Sequence, residues 1–201
     1  MSKNLSPKPI LLIDNYDSFV FNLYQLINQV IIKQKLNFEL QVVRNDQLSF
    51  EQIVTNNYSH IVIGPGPGSP DNEAYFGVCS RLILELGIAI PTLGICLGMQ
   101  GICHYYGGRV IPASQPMHGK ISTLTHSSQD IFKNIPQDLE VMRYHSLICT
   151  DLPDCLEVIA TANDATVMAL KHQKYPITGV QFHPESFATE CGEIMIRNFL
   201  S

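Results

Sequence analysis

Ile90-Pro-Thr-Leu-Gly-Ile-Cys-Leu-Gly-Met-Gln100 is the stretch that decides the fold. A short apolar run, Ile90 to Leu93, leads into Gly94-Ile-Cys-Leu-Gly98, and a helical pattern follows from Met99 to Tyr106. Strand, Gly-x-nucleophile-x-Gly, helix is the layout of a nucleophile elbow. The turn is sharp, so the residues flanking Cys96 must be small. Cys96 is pushed out at the carboxyl end of a strand and at the start of a helix. The helix N-terminus carries partial positive charge and unpaired N–H groups, which favour thiolate. An unperturbed thiol is only about 3% ionised at neutral pH, so this help or a neighbouring base is required.

Upstream of the elbow, strand and helix patterns alternate. Ile10–Ile13 is a continuous apolar run, the pattern of a strand buried on both faces. The polar loop Asp14-Asn-Tyr-Asp-Ser18 follows, and Asp17 or Ser18 is expected to cap a helix reaching about Lys35. Phe38–Val43 and His60–Ile63 read as strands, with a short helix near 50–55 between them. Gly64-Pro-Gly-Pro-Gly-Ser-Pro70 is too rich in Gly and Pro for helix or strand, and Asp71 or Asn72 opens a helix to about Leu86. A βαβαβαβ pattern implies a parallel sheet covered on both faces.

Downstream, Gly107-Gly108 ends the elbow helix. Short strand-like runs then alternate with turns: Arg109–Ile111, Ile121–Thr125, Glu140–Arg143, Leu156–Ala160, Thr166–Lys171 and Ile177–Gln181. A last helix is expected from about Glu190 to Leu200. The expectation is one α/β domain over residues 1–201, its central sheet mixed but mostly parallel, with 1–9 as a flexible extension.

The 201 residues suffice for one sizeable core. Net charge is −5 with no basic patch, which argues against nucleic acid and anionic membrane as partners. The first nine residues lack the apolar core and cleavage site of a signal peptide. The most apolar stretch, Leu82–Cys103, is interrupted by Glu85, Pro91 and glycines and cannot span a bilayer. Six cysteines without a C-x-x-C pair fit reduced thiols in the cytoplasm. Cys79, Cys103, Cys149, Cys155 and Cys191 read as inert small hydrophobes. The seven histidines show no paired ligand spacing, so no metal site is expected.

In open α/β sheets, ligands lie at the carboxyl ends of the strands. Cys96, the Gly64–Pro70 loop and His183 are expected to converge there. A cysteine nucleophile needs a base, and the base needs an orienting group. His183 can be that base. Glu185 lies two residues on, on the same side of an extended backbone, with Pro184 stiffening the segment between them. The N–H of Leu97, the residue after the nucleophile, is the expected first oxyanion donor. Gly66 and Gly68 permit backbone to approach the substrate and supply a second.

With that triad assembled, the chain resembles class I glutamine amidotransferases. More narrowly, it resembles the branch serving anthranilate synthase and aminodeoxychorismate synthase. The resemblance runs from Ile10 to Leu200. It rests on Leu12-Ile-Asp-Asn-Tyr-Asp-Ser-Phe19, Pro65-Gly-Pro-Gly68, the elbow, Met117-His-Gly-Lys120, Arg143-Tyr-His-Ser-Leu147 and Gly179-Val-Gln-Phe-His-Pro-Glu-Ser186. It departs from the branch at Met99, where His is common, and at Gly64, where Ser is frequent.

The resemblance implies the class I amidotransferase fold, and a Cys96 attack on the side-chain amide of glutamine with His183 passing a proton to the leaving ammonia. It implies an oxyanion hole from Gly68 and Leu97. Gln100, Ser146, Leu147 and the Gly66-Pro67-Gly68 segment would hold the glutamine. It implies no cofactor in this chain, and ammonia channelled to a separate chorismate-binding synthase subunit, possible host of a magnesium ion. The product there is anthranilate (tryptophan biosynthesis) or aminodeoxychorismate (folate biosynthesis), and some enzymes of the branch serve both. Two other functions stay open on the residues alone. One is a stand-alone hydrolase of gamma-glutamyl or peptide bonds, and the other a non-catalytic binding subunit.

Overall fold

The computed structural model describes residues 6–201. The chain forms one nine-stranded sheet in the order β2-β1-β3-β4-β9-β8-β7-β5-β6. The strands are β1 Lys8–Asp14, β2 Phe38–Arg44, β3 His60–Ile63, β4 Thr92–Ile95, β5 Arg109–His126, β6 Leu139–Thr150, β7 Leu156–Ala162, β8 Val167–His172 and β9 Ile177–Val180. The helices are α1 Val20–Lys33, α2 Phe50–Thr55, α3 Glu73–Phe76, α4 Cys79–Arg81, α5 Leu97–Tyr105 and α6 Gly192–Phe199. The sheet is mixed as expected. Its ladders from β2 to β9 are parallel, and those from β9 to β6 are antiparallel.

Alternation along the buried strands distributes side chains to two cores. Ile10, Leu12 and Val62 join the core under α1 and α6, while Leu11, Ile13, Ile61 and Ile63 join the core under α2 to α5. Both faces are dry, which is why Ile10–Ile13 has no polar alternation.

Several local expectations are corrected. The first strand starts at Lys8, paired with Phe38, so Lys8 and Pro9 are not part of a loose extension. Residues 1–5 of that expected extension lie outside the described residues. Helix α1 begins at Val20 after Phe19, without a side-chain cap. Asp17 instead accepts the Phe19 N–H at 2.7 Å, and Asp14 accepts that of Asp17 at 3.1 Å, so the acidic loop bonds to itself. The helix expected up to Leu86 breaks at Gly77, whose φ is +49°. A Cβ there would lie 2.4 Å from the Asn45 carbonyl oxygen, so only glycine permits this crossing over the end of β2. After α4 the chain continues as a wide π-type turn, Leu82–Leu86.

The runs Arg109–Ile111 and Ile121–Thr125 prove to be the two ends of one strand, β5. Pro112, Pro116 and Gly119 lie between them and read as turns in sequence. Register shifts between Pro112 and Met117, and between His118 and Lys120, accommodate them as bulges. Strand β6 likewise runs past Arg143 to Thr150, placing Tyr144 to Leu147 on a strand.

Candidate active site

The carboxyl ends of β3, β4 and β9 are adjacent. Ile63 lies opposite Gly94, and Ile95 lies opposite Val180. Cys96 therefore leaves β4 one residue past the register point, and His183 leaves β9 three residues past it. The parallel ladder brings together two residues far apart in sequence.

Strand β4 reaches Ile95 and helix α5 starts at Leu97, so the turn between them is a single residue. That residue, Cys96, has φ 53° and ψ −101°, a conformation costing about 1–3 kcal/mol for a non-glycine residue. The glycines make it possible. A Cβ on Gly94 would lie 2.5 Å from the Gly98 carbonyl carbon, and one on Gly98 would lie 2.3 Å from the Ile63 oxygen. On β9, a Gly179 Cβ would lie 2.9 Å from the Met99 side chain. Three missing side chains let α5 sit directly on the sheet. The Cys96 N–H bonds the Val180 carbonyl at 2.8 Å, tying the elbow to β9.

His183 is 4% exposed. Its Nδ1 lies 2.7 Å from Glu185 Oε1, inside the same turn. The backbone is fixed too. Thr189 Oγ1 donates to the His183 carbonyl at 2.6 Å and accepts the Met142 N–H at 3.0 Å, and the His183 N–H bonds the Met142 carbonyl. Tyr144 meets the imidazole edge-on at 5.7 Å, and Phe19 stacks on Tyr144. Burial opposes the charged imidazole, but Cys96 and Glu185 outweigh it and lift His183 to about 10. The second ring nitrogen, Nε2, is buried with no conventional hydrogen-bond partner among the described residues, as is Glu185 Oε2. The arrangement suits a thiolate–imidazolium pair able to deliver a proton to a leaving group.

The Gly64–Pro70 loop is braced at both ends. Asn15 Nδ2 donates to the Gly64 carbonyl at 2.9 Å, and Tyr105 Oη donates to that of Pro70 at 3.0 Å. A Cβ on Gly66 would lie 2.9 Å from the Leu97 side chain and 2.5 Å from Asn15, so the loop abuts the elbow. Gly68 has φ +79°. Gln100 on α5 and Leu147 on β6 meet, with Gln100 Nε2 3.4 Å from the Leu147 carbonyl. Gly66, Pro67, Gly68, Ser146 and Leu147 are partly or fully exposed, whereas Leu97 and Gln100 are buried.

A cleft of about 360 Å³ opens beside His183, lined by Phe19, Leu26, Tyr144, His183, Glu185 and Phe187 among others. None of the seven residues expected to hold substrate lines it. Three participants escaped sequence reasoning. Asn15 and Tyr144 lie inside the family motifs but carry no chemistry of their own. Gln181, also inside a family motif and two residues before His183, donates from Nε2 to the Cys96 sulfur at 3.5 Å.

Comparisons with known proteins agree with this fold. The family model "Glutamine amidotransferase class-I" matches residues 11–201. Anthranilate synthase component 2 of Leptospira biflexa is 46% identical over 198 residues, spanning 96% of this chain and 98% of its own. Aminodeoxychorismate synthase of Streptomyces griseus is 43% identical over 94% of this chain, which corresponds to 25% of that larger protein. Among solved structures, a Thermoplasma acidophilum protein assigned to GMP synthase superposes with a TM-score of 0.84. It is 25% identical and covers 98% of this chain and 94% of its own. With the family pattern spanning nearly its whole length, the chain belongs to the class I glutamine amidotransferases and is an enzyme of that family.

Proposed function

We propose that this chain is the glutaminase subunit of a chorismate-using synthase, with anthranilate synthase as the first assignment and aminodeoxychorismate synthase as the alternative. The observation that carries the reading is the Glu185-braced His183 beside Cys96, just past the ends of neighbouring parallel strands. The names of the relatives support the partner class, and the Streptomyces relative favours keeping the second product in view.

The Cys96 sulfur attacks the amide carbon of glutamine, and the negative charge developing on oxygen meets the N–H of Leu97 and of Gly68. The first N–H groups of a helix lack intrahelical partners, which is why Leu97 is available for this. His183 gives its proton to the nitrogen as the C–N bond breaks, and ammonia leaves. Water then adds to the thioester carbon, His183 takes a proton from it, and the C–S bond breaks to free glutamate. Glu185 stabilises the cationic imidazole throughout. Gly66, Pro67, Gln100, Ser146 and Leu147 are the proposed glutamine contacts.

The partner is proposed to cover the cleft beyond His183. Phe19, Tyr144 and Phe187 are exposed at this cleft, an apolar rim of the kind that marks protein contacts. Ammonia released at His183 would leave through that cleft into the partner. No helix among the described residues is long and apolar enough to cross a membrane, and the proposed location is the cytoplasm.

The test is to mix the chain with each candidate chorismate-binding partner and identify the aromatic product from glutamine and chorismate. Cys96→Ser is expected to abolish glutamine use while leaving ammonia-dependent synthesis by the complex. Retained glutamine use by that variant refutes the nucleophile. High peptidase or gamma-glutamyl hydrolase turnover by the lone chain refutes the synthase assignment.

A further inference from the structure

A continuous buried polar chain runs from the far side of β6 to the Cys96 sulfur, and its proton positions can be deduced link by link. Arg143 is 1% exposed. Its guanidinium pairs with Asp164 at 2.8 Å and donates to Ser122 and Thr166. Its Nε lies 3.1 Å from His145 Nε2. Arginine can only donate, so His145 Nε2 accepts and Nδ1 carries the proton. Nδ1 then donates to the Leu147 carbonyl at 3.0 Å. Burial and the charge of Arg143 both keep this imidazole neutral.

The same carbonyl receives the Gln100 side chain at 3.4 Å. A carbonyl only accepts, so the atom facing it is the Gln100 amide nitrogen. That nitrogen also lies 3.2 Å from the Gln181 side chain, so the Gln181 atom there is its oxygen. The remaining Gln181 atom, its NH₂, therefore faces the Cys96 sulfur at 3.5 Å. A flipped Gln181 would set nitrogen against nitrogen at Gln100 and turn an oxygen to the sulfur, where it could not donate to a thiolate. Gln181 is 0% exposed, and its backbone N–H is held by the Met168 carbonyl at 2.8 Å.

We propose that Gln181 is a further catalytic residue, a fixed N–H donor to the Cys96 sulfur, oriented by Gln100 and the Leu147 carbonyl. The inference rests on the glutaminase reading above and names a residue that reading does not use. The donor matters twice. It stabilises the thiolate before attack, and it receives the charge again when water has added to the thioester and the C–S electron pair returns to sulfur. The other groups facing the sulfur are His183, with Glu185 behind it, and Cys149 from β6. His183 supplies charge and the proton, whereas Gln181 supplies a neutral hydrogen bond that does not titrate. The positioning residues Arg143 and His145 lie further back and act only through the Leu147 carbonyl.

The experiment compares wild type with Gln181→Met, which keeps length and volume but lacks the N–H, and with Gln181→Glu, which places a carboxylate at the sulfur. Alkylation of Cys96 by iodoacetamide is followed by peptide mass spectrometry from pH 5 to 10, with the partner bound. The midpoint is expected to move up by about half a unit to one unit in Gln181→Met, and further in Gln181→Glu. Glutamine-dependent kcat at neutral pH should fall about 10-fold in Gln181→Met, with KM little changed. The loss should shrink as pH rises and thiolate is restored, a recovery that a merely loosened core would not give. Ammonia-dependent synthesis should stay at the wild-type rate, showing that the chain is folded and docked. Gln100→Met, which releases the Gln181 amide to rotate, should give a smaller shift in the same direction. An unchanged alkylation midpoint in both Gln181 variants, in complexes that still use ammonia, overturns the inference and leaves the glutaminase reading standing. A wild-type complex with neither glutamine use nor Cys96 labelling overturns both.

Discussion

Gly98→Ala tests the elbow with the smallest possible change. A methyl group at this position would lie 2.3 Å from the Ile63 carbonyl oxygen and 3.2 Å from the Ile63 carbonyl carbon. An ordinary carbon–oxygen contact is about 3.3 Å, so the two must separate by about 1 Å. Ile63 cannot yield easily, because β3 is held between parallel ladders to β1 and β4 and is fully buried. Helix α5 must therefore rise from the sheet. Cys96 and the Leu97 N–H sit at the end of α5 that rises. A displacement of about 1 Å costs on the order of 100-fold in rate, and overpacking of this kind costs about 1–3 kcal/mol of stability. For a chain of this size the melting temperature should fall by about 2–12 °C. The assay is initial rate with glutamine and, separately, with ammonium salt in the reconstituted complex, alongside thermal melting of the variant. Glutamine-dependent turnover should drop about 100-fold while ammonia-dependent turnover persists. Full glutamine turnover with an unchanged melting temperature would refute the claim that missing side chains set the height of α5 and position the sulfur.

Stability should depend on pH through two histidines in opposite senses. Burial and the Arg143 charge hold His145 down to about 4, so the unfolded chain binds that proton first and stability declines by about 2–3 kcal/mol as pH falls from about 6.5 to 4. Denaturant unfolding at pH 7 and pH 5 should show this slope in wild type and a flatter one in His145→Gln, and equal slopes would count against it. His183, raised to about 10 against the cost of burial by Cys96 and Glu185, contributes stability that is present below about 6.5 and lost as pH rises through about 10. At the proposed partner surface, Phe187 is 97% exposed on the rim of the cleft. Phe187→Ser should weaken partner binding about 10-fold in a titration while leaving the melting temperature unchanged, and unaltered affinity would place the partner elsewhere.

Much of the molecule was legible because its decisive features are local. Gly94, Cys96 and Gly98 state a backbone geometry that few other residues can adopt, and the apolar run at Ile10–Ile13 states burial on both faces. His183 and Glu185 are two residues apart, so their contact needs no knowledge of the fold. Where the sequence misled, a long-range neighbour overrode a local signal. Pro112, Pro116 and Gly119 look like breaks, yet β6 pairs across them and turns them into bulges within one strand. Gly77 looks unremarkable in a helical run, yet the Asn45 carbonyl lies so close that the helix must end there. Asp17 looks like a helix cap, but it closes a turn of its own two residues before the cap position, Phe19.

Sequence alone singled out the proposed nucleophile, its proposed base and the carboxylate beside that base, because each is written in a short stretch with strict steric or chemical demands. The tertiary structure alone decided that β9 lies beside β4, which brings the imidazole to the sulfur. It also decided that Arg143, His145, Leu147, Gln100 and Gln181 form one hydrogen-bonded line ending at Cys96. The physical reason is that strand order and side-chain hydrogen bonds arise between segments remote in the chain. A glutamine's donor and acceptor ends acquire direction only from the groups that close around it.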